Sequence, residues 1–372
     1  MSGNPRMKII IYFGHHKVGS TALQTYLARN TLPLLREGIL YPAVESQGMS
    51  HLLAQAAGVQ TKPDLSCMNL REPHNALAFR MLATKNNGKT PAWHGALPGL
   101  PAMLTTLRHQ VEVLQPHTVI LCSEVFSNFG HGHEDLIQKL HHLFPDAEQE
   151  LYCALRRPDE YVVSWYGQRL RFGQKPRALS DGAALASTKG IHFDYQKVVE
   201  PWARIFCGAH MHLRNYNDIL SAGGSVQDFI DQVSCKFPAN LPQHGPSNSG
   251  IPRAAYEIVR RANHELSSEN AGQMRRFFLD MPTSQLPVQN RDVELLGEGT
   301  RHDLAERFKP IHDYLNKVTG EVAFFPDIDE MRIARPISEQ EATARMLDSL
   351  VPDTLQSDDL RTFVSQLKQI LC

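Results

Sequence analysis

The stretch Ile9–Leu27, IIIYFGHHKVGSTALQTYL, constrains this chain more than any other. Ile9 to Phe13 are apolar, β-branched or aromatic without alternation, the composition of a strand buried on both faces of a parallel sheet. Gly14 and Gly19 bracket a tight turn, and Ser20 and Thr21 open a helical segment whose packing face is Leu23, Tyr26 and Leu27. A strand, a glycine-bounded loop and a helix N-terminus in that order make an anion site. Glycines let backbone N–H groups turn inward without a Cβ clash, and the helix dipole adds partial positive charge. Lys17 lies inside the loop, where its ammonium reaches a bound phosphate.

The position of that lysine bears on the chemistry. An ATP or GTP loop reads G-x4-G-K-[ST], with lysine directly after the second glycine. Here Gly14 and Gly19 keep the spacing, but Ser20 and Thr21 follow directly and the lysine stands two places before Gly19. A second cluster, LRRPDEYVVSWYGQ, spans Leu155–Gln168. Two arginines at a strand end suit a multiply charged anion, because guanidinium donates in a planar fork; pairing with local Asp159 and Glu160 is their other use. Thr118–Cys122 (TVILC) is a further buried strand and leads into Ser123 and Glu124. Ligands of parallel sheets bind beyond the carboxyl ends of the strands. Lys17, Glu124 and Arg156 each follow a predicted strand, so all three are expected to line one crevice.

The remaining strands are ILYP near residue 40, Glu150–Leu155 and His210–Leu213; helices are expected over 104–114, 134–144, 195–206, 226–233, 254–266 and 304–318. Pro158 suits the first position of a helix that carries Tyr161, Val162, Trp165 and Leu170 on its buried side. Strands alternating with helices predict an α/β fold with a mostly parallel sheet covered on both faces. Pro33 is expected to stop or kink the first helix. Residues 43–101 show no long period and carry several Gly, Pro, Asn and His, so we assign them to an acceptor-binding excursion. The tail, 338–372, is amphipathic and reads as two outer helices. The expected division is a single domain over 1–330 with a helical extension over 331–372.

The order His-Lys-x-Gly-Ser-Thr resembles the 5′-phosphosulfate loop of the sulfotransferases that use 3′-phosphoadenosine 5′-phosphosulfate (PAPS), whose usual form is Lys-x-Gly-Thr-Thr. That family also carries an arginine followed eight residues later by a serine, the separation of Arg156 and Ser164. The bacterial branch is the nearer likeness. YPA at Tyr41 with His51 downstream, the strand ending Ser123-Glu124, YQKVVEPWARIFCGAHMHLRNY and NSGIPRAAYEIVRRAN look like that branch. The likeness runs from Met7 to about Asp327; Val18 and Ser20 depart from the commoner residues, and no tryptophan-anchored C-terminal phosphate loop of the cytosolic animal type is present.

The resemblance implies a three-layer α/β/α fold like that of P-loop nucleotide hydrolases, with additional C-terminal helices. It implies sulfuryl transfer from PAPS, with PAP as product, to a hydroxyl or amine of a small-molecule or glycan acceptor. The donor-binding residues would be Lys17, Val18, Gly19, Ser20, Thr21, Arg156 and Ser164. Lys17 would also stabilise the leaving oxygen, and Glu124, or else His51, would take the acceptor proton. Two other readings stay open: a small-molecule kinase using ATP and magnesium, and an inactive relative that binds PAP.

Bulk properties narrow the partners. The chain has 372 residues, 42% hydrophobic, and a formal net charge of −1, so no sequence-wide field favours nucleic acid or an anionic membrane. No apolar run reaches membrane-spanning length, and residues 1–8 are polar, so a cytoplasmic protein is expected. Cys67, Cys122, Cys153, Cys207, Cys235 and Cys372 are scattered, without C-x-x-C, and read as reduced thiols. His131, His133, His141 and His142 lack a metal-ligand spacing, and no metal is expected. The sequence is silent on oligomeric state.

Overall fold

Five parallel strands form the central sheet in the order β2-β3-β1-β4-β5, with β1 (Lys8–Tyr12) at its centre, in a computed structural model that describes residues 6–59, 65–186, 188, 190–242, 250–351 and 354–371. Residues 1–5, Asn248, Ser249 and Cys372 therefore lie outside the described residues. In chain order, β1 is followed by α1 (Ser20–Arg29), α2 (Thr31–Arg36), β2 (Ile39–Leu40), α3 (Ser46–Ala56), α4 (Met68–Arg71), α5 (Pro73–Lys85) and α6 (Leu100–Leu114). Then come β3 (Thr118–Cys122), α7 (Glu134–His141), β4 (Glu148–Leu155), α8 (Pro158–Arg171), α9 (Ala183–Ala186) and α10 (Tyr195–Ile205). The remainder is β5 (His210–Asn215), α11 (Tyr216–Ser221), α12 (Ser225–Gln232), α13 (Tyr256–Glu265), α14 (Ser268–Asp280), β6 (Val293–Glu294), α15 (Glu298–Thr319), β7 (Ile337–Ser338), α16 (Glu339–Ser349) and α17 (Asp358–Leu371).

The chain divides into two compact units, Met1–Arg156 with Asp194–Ser247, and Arg157–Phe193 with Asn248–Cys372. The first holds the five-stranded sheet. Side chains alternate across its pleat. Ile10, Tyr12, Ile120, Cys122, Tyr152 and Ala154 pack against Leu23, Leu27, Ile219 and Phe229 from α1, α11 and α12. On the opposite face Phe13 stacks on Trp202 of α10, with ring centroids 4.4 Å apart, and Phe126 packs on the same indole. Both faces are thus covered, which is why the strands read as unbroken apolar runs.

A buried ion cluster holds α12 to the sheet. Asp228 is wholly buried, accepts from Arg214 of β5 at 2.7 Å, and is hydrogen-bonded by the Tyr152 hydroxyl of β4.

The structure departs from the sequence expectation in two local places. The first helix ends at Arg29, capped by Asn30, before Pro33, which sits in the first turn of α2 where its missing N–H costs nothing. Residues 43–101 contain α3, α4 and α5. Helix α5 shows no period because it is buried nearly all round, through His74, Asn75, Leu77, Ala78 and Met81 among others.

The second unit is mainly helical. Its ion cluster joins Arg157 to Asp159 (2.7 Å) and Asp327, and Arg301 to Asp159 (3.3 Å) and Glu294 (2.7 Å). The tail forms α16 and α17, which pack on each other, on α13 and on α14. Among the described residues no helix is long and apolar enough to cross a membrane, and Cys67, Cys122, Cys153, Cys207 and Cys235 are free.

Asp228→Ala should leave the Arg214 guanidinium and the Tyr152 hydroxyl without their partner. We expect a loss of about 3 kcal/mol, measured by urea denaturation, and a smaller loss for Asp228→Asn.

Candidate functional site

The loop after β1 turns on two left-handed residues. Lys17 has φ +65° and Gly19 φ +84°, flanking Val18. Such alternation turns successive N–H groups to one side and forms an anion-binding concavity. Gly19 is required on two counts: its φ, and a close approach that would put an added Cβ 2.8 Å from Ser225 Oγ. At Gly14 a Cβ would meet the Tyr12 hydroxyl at 2.6 Å and the Ala154 nitrogen at 2.9 Å. Ser225, at the start of α12, donates to the Gly19 carbonyl at 2.8 Å and braces the loop. Val18 is buried in the core, so only its backbone faces the loop; Ser20 is buried and Thr21 half-buried.

The loop's charge comes from Lys17. His16 beside it is pushed down to about 4 by burial, with the lysine charge adding to the effect and a hydrogen bond to Asn128 opposing it. It is therefore neutral at physiological pH. His15 donates its backbone N–H to Ala154 at 2.8 Å, and its buried ring packs against Tyr195.

Arg156 lies at the same loop. Its Nη1 is 3.5 Å from the Lys17 carbonyl oxygen, its guanidinium sits 5.1 Å over the Tyr216 ring, and its own carbonyl accepts from the Tyr195 hydroxyl at 2.6 Å. The two arginines of the cluster have separate uses: Arg157 is spent on Asp159 and Asp327 in the second unit. Ser164 also belongs to that unit, half-buried on α8.

On the β3 side of the loop stands a buried acid network. Gln24 Nε2 donates to Glu124 Oε2 at 2.9 Å, Asn75 Nδ2 donates to Glu124 Oε1 at 3.2 Å, and the Ser20 hydroxyl is a further partner of that carboxylate. Asn75 Nδ2 also donates to Glu72 Oε2 at 2.9 Å, and Arg71 pairs with Glu72 at 2.9 Å. Burial raises the Glu124 carboxyl above the usual range against those hydrogen bonds. It raises Glu72 as well, with the Glu124 charge adding to the effect. Gln24 Oε1 is buried and, among the described residues, accepts no hydrogen bond; because Nε2 faces three acceptors, the amide cannot be turned round.

A narrow cleft of about 20 Å³, lined by Tyr41, Pro42, Leu52, Leu70 and Pro73 among others, adjoins the network through Tyr41. The Tyr41 phenol is raised by burial, with the Glu72 and Glu124 carboxylates adding to the effect. His51 is half-buried on α3, next to Leu52, and is not one of the cleft's lining residues.

The structure thus brings Lys17, Gly19, Ser20, Glu124 and Arg156 to one end of the sheet. Sequence reasoning missed Gln24, Asn75, Glu72 and Ser225. A signal existed for two pairs: Ser20 and Gln24 are four apart on α1, and Glu72 and Asn75 are three apart, spacings that put polar groups on one helical face.

No family model and no curated protein matches the chain. A sulfotransferase crystal structure from Alicyclobacillus acidocaldarius aligns over 85% of this chain and 96% of its own, at 11% identity and a TM-score of 0.36. No residue role is taken from so distant a likeness.

Gly19→Ala should cost about 1–2 kcal/mol for its left-handed backbone, besides the contact with Ser225. Ser225→Ala, which loses the hydrogen bond to the Gly19 carbonyl, should also lower the melting temperature, and thermal denaturation of each single variant checks both losses.

Proposed function

We propose that this protein transfers a sulfuryl group from PAPS to a hydroxyl or amine of a small-molecule or glycan acceptor. The observation that carries this reading is the meeting of Arg156 with the Lys17 loop at 3.5 Å. Two cations from separate sequence motifs converge where a donor with two anionic ends needs them. The loop suits such a group: left-handed turns at Lys17 and Gly19 form the anion concavity, and the added Cβ contacts at Gly14 and Gly19 keep both positions open. When bound, PAPS supplies the sulfuryl group and a phosphate leaving group.

The chain's own residues then divide the work. Lys17, the loop N–H groups and the Thr21 hydroxyl offset negative charge at the leaving oxygen, while the Ser20 hydroxyl is held by Glu124. Arg156 holds a second anionic group through its planar donors. Glu124, bound to Ser20 and thus tied to the loop, takes the acceptor proton; its raised carboxyl makes it a stronger base than an exposed glutamate. A sulfuryl group carries one negative charge where a phosphoryl carries two, which the lysine and the loop dipoles match.

The first test is a thermal-shift comparison of PAP with ATP and magnesium. PAP should stabilise the wild type without magnesium, and Lys17→Ala should lose that stabilisation while keeping the melting temperature of the ligand-free protein. Stabilisation by ATP with magnesium alone would point to the kinase reading. In a transfer assay, Glu124→Gln should reduce turnover by about 10²-fold or more with PAP binding retained. Because the base must be unprotonated, wild-type turnover should rise with pH through the Glu124 midpoint, which lies above the ordinary carboxylate range.

A further inference from the structure

Asn75 sits between two acids. Its Nδ2 donates to Glu72 Oε2 at 2.9 Å and to Glu124 Oε1 at 3.2 Å, while its Oδ1 accepts from Gln24 Nε2 at 3.0 Å and from Ser123 Oγ at 2.6 Å. Both donors and both lone pairs of the amide are in use, so its orientation is fixed. The surroundings are dry: Asn75 is 2% exposed, and Gln24 and Ser123 are fully buried. Amide hydrogens already occupy the space between the carboxylates, which is the place a bridging cation would take.

Two carboxylates sharing such a space do not ionise independently. Arg71 breaks their symmetry, since it pairs with Glu72 at 2.9 Å, whereas Gln24, Asn75 and Ser20, the hydrogen-bond donors to Glu124, are neutral. We propose that Glu72 is a positioning residue for Glu124: ionised against Arg71, it sets a negative charge on the far side of Asn75 and so strengthens Glu124 as proton acceptor.

The other groups facing Glu124 leave that role to Glu72. Tyr12 of β1, Tyr41 after β2 and Cys122 of β3 are pushed up by burial and stay neutral; His74 of α5, which accepts from the Cys122 N–H, is pushed down to about 3, also by burial. Among the described residues, the charged group across Asn75 from Glu124 is Glu72, with Arg71 paired to it.

The inference rests on reading Glu124 as the base, but its test needs neither donor nor acceptor. The full chain is labelled with ¹³C at the glutamate carboxyls and titrated by NMR. The Glu124 and Glu72 signals are identified by their loss in Glu124→Gln and Glu72→Gln. In the wild type the Glu72 signal should titrate at lower pH than that of Glu124; the reverse order would overturn the proposal. In Glu72→Gln the Glu124 midpoint should fall by about one pH unit, a tenfold loss of proton affinity, and Glu72→Asp should restore it. A residue that only held the fold would leave the midpoint where it was, and an unmoved midpoint overturns the proposal. Should Glu72→Gln fail to fold, the loss of the same glutamate signal in Glu72→Asp identifies Glu72, and the wild-type order of titration still decides. Transfer retained in Glu124→Gln would instead overturn the base assignment, so the two failures are told apart.

Discussion

The site depends on β1 being paired on both sides. Lys8 to Tyr12 are in parallel register with Thr118 to Cys122 of β3 and with Glu148 to Tyr152 of β4. The pairing runs past the strand end, since Phe13 donates to the Tyr152 carbonyl at 2.9 Å and His15 to the Ala154 carbonyl at 2.8 Å. A loop anchored that far has few conformations left. That rigidity allows the chain to keep a non-glycine residue, Lys17, in the left-handed region, a cost of order 1 kcal/mol that an unsupported loop would relax.

The same strand order separates the charges. Arg156 enters from the end of β4, on one side of β1, and Glu124 from the end of β3, on the other. Between them lies the start of α1, whose Ser20 reaches toward Glu124 while its first peptide groups face the loop. Helix α12 adds support from below: Arg214 and Tyr152 fix Asp228, and three residues earlier Ser225 braces Gly19. The loop is thereby tied to β4 and β5 as well as to its own strand.

Much of this was legible in the residues. An apolar run without alternation marked β1, β3 and β4 as doubly covered strands, and the Gly14–Gly19 bracket with Ser20 marked the helix start at the residue where α1 begins. The placement of Glu124 and Arg156 beyond strand ends followed from parallel topology. What was hidden has one cause. Periodicity reports an element only when one face meets water, and α5, which carries Asn75, is buried nearly all round. Glu72 precedes that helix, so the acid pair lay in a stretch without visible order.

The neighbouring Arg156 and Arg157 show why residue type and spacing stop short of a role. As a pair at a strand end they suit one polyanion. In the fold Arg157 donates to Asp159 at 2.7 and 3.1 Å and to the Asp327 carbonyl at 3.0 Å, and it is 7% exposed. A buried guanidinium with that many charged partners is held by the protein itself, because removing it would leave carboxylates uncompensated in a dry interior. Arg156 instead rests on an aromatic face and a backbone carbonyl. The two neighbours in sequence thus go to different places, Arg157 into the ion cluster of the second unit and Arg156 to the loop after β1.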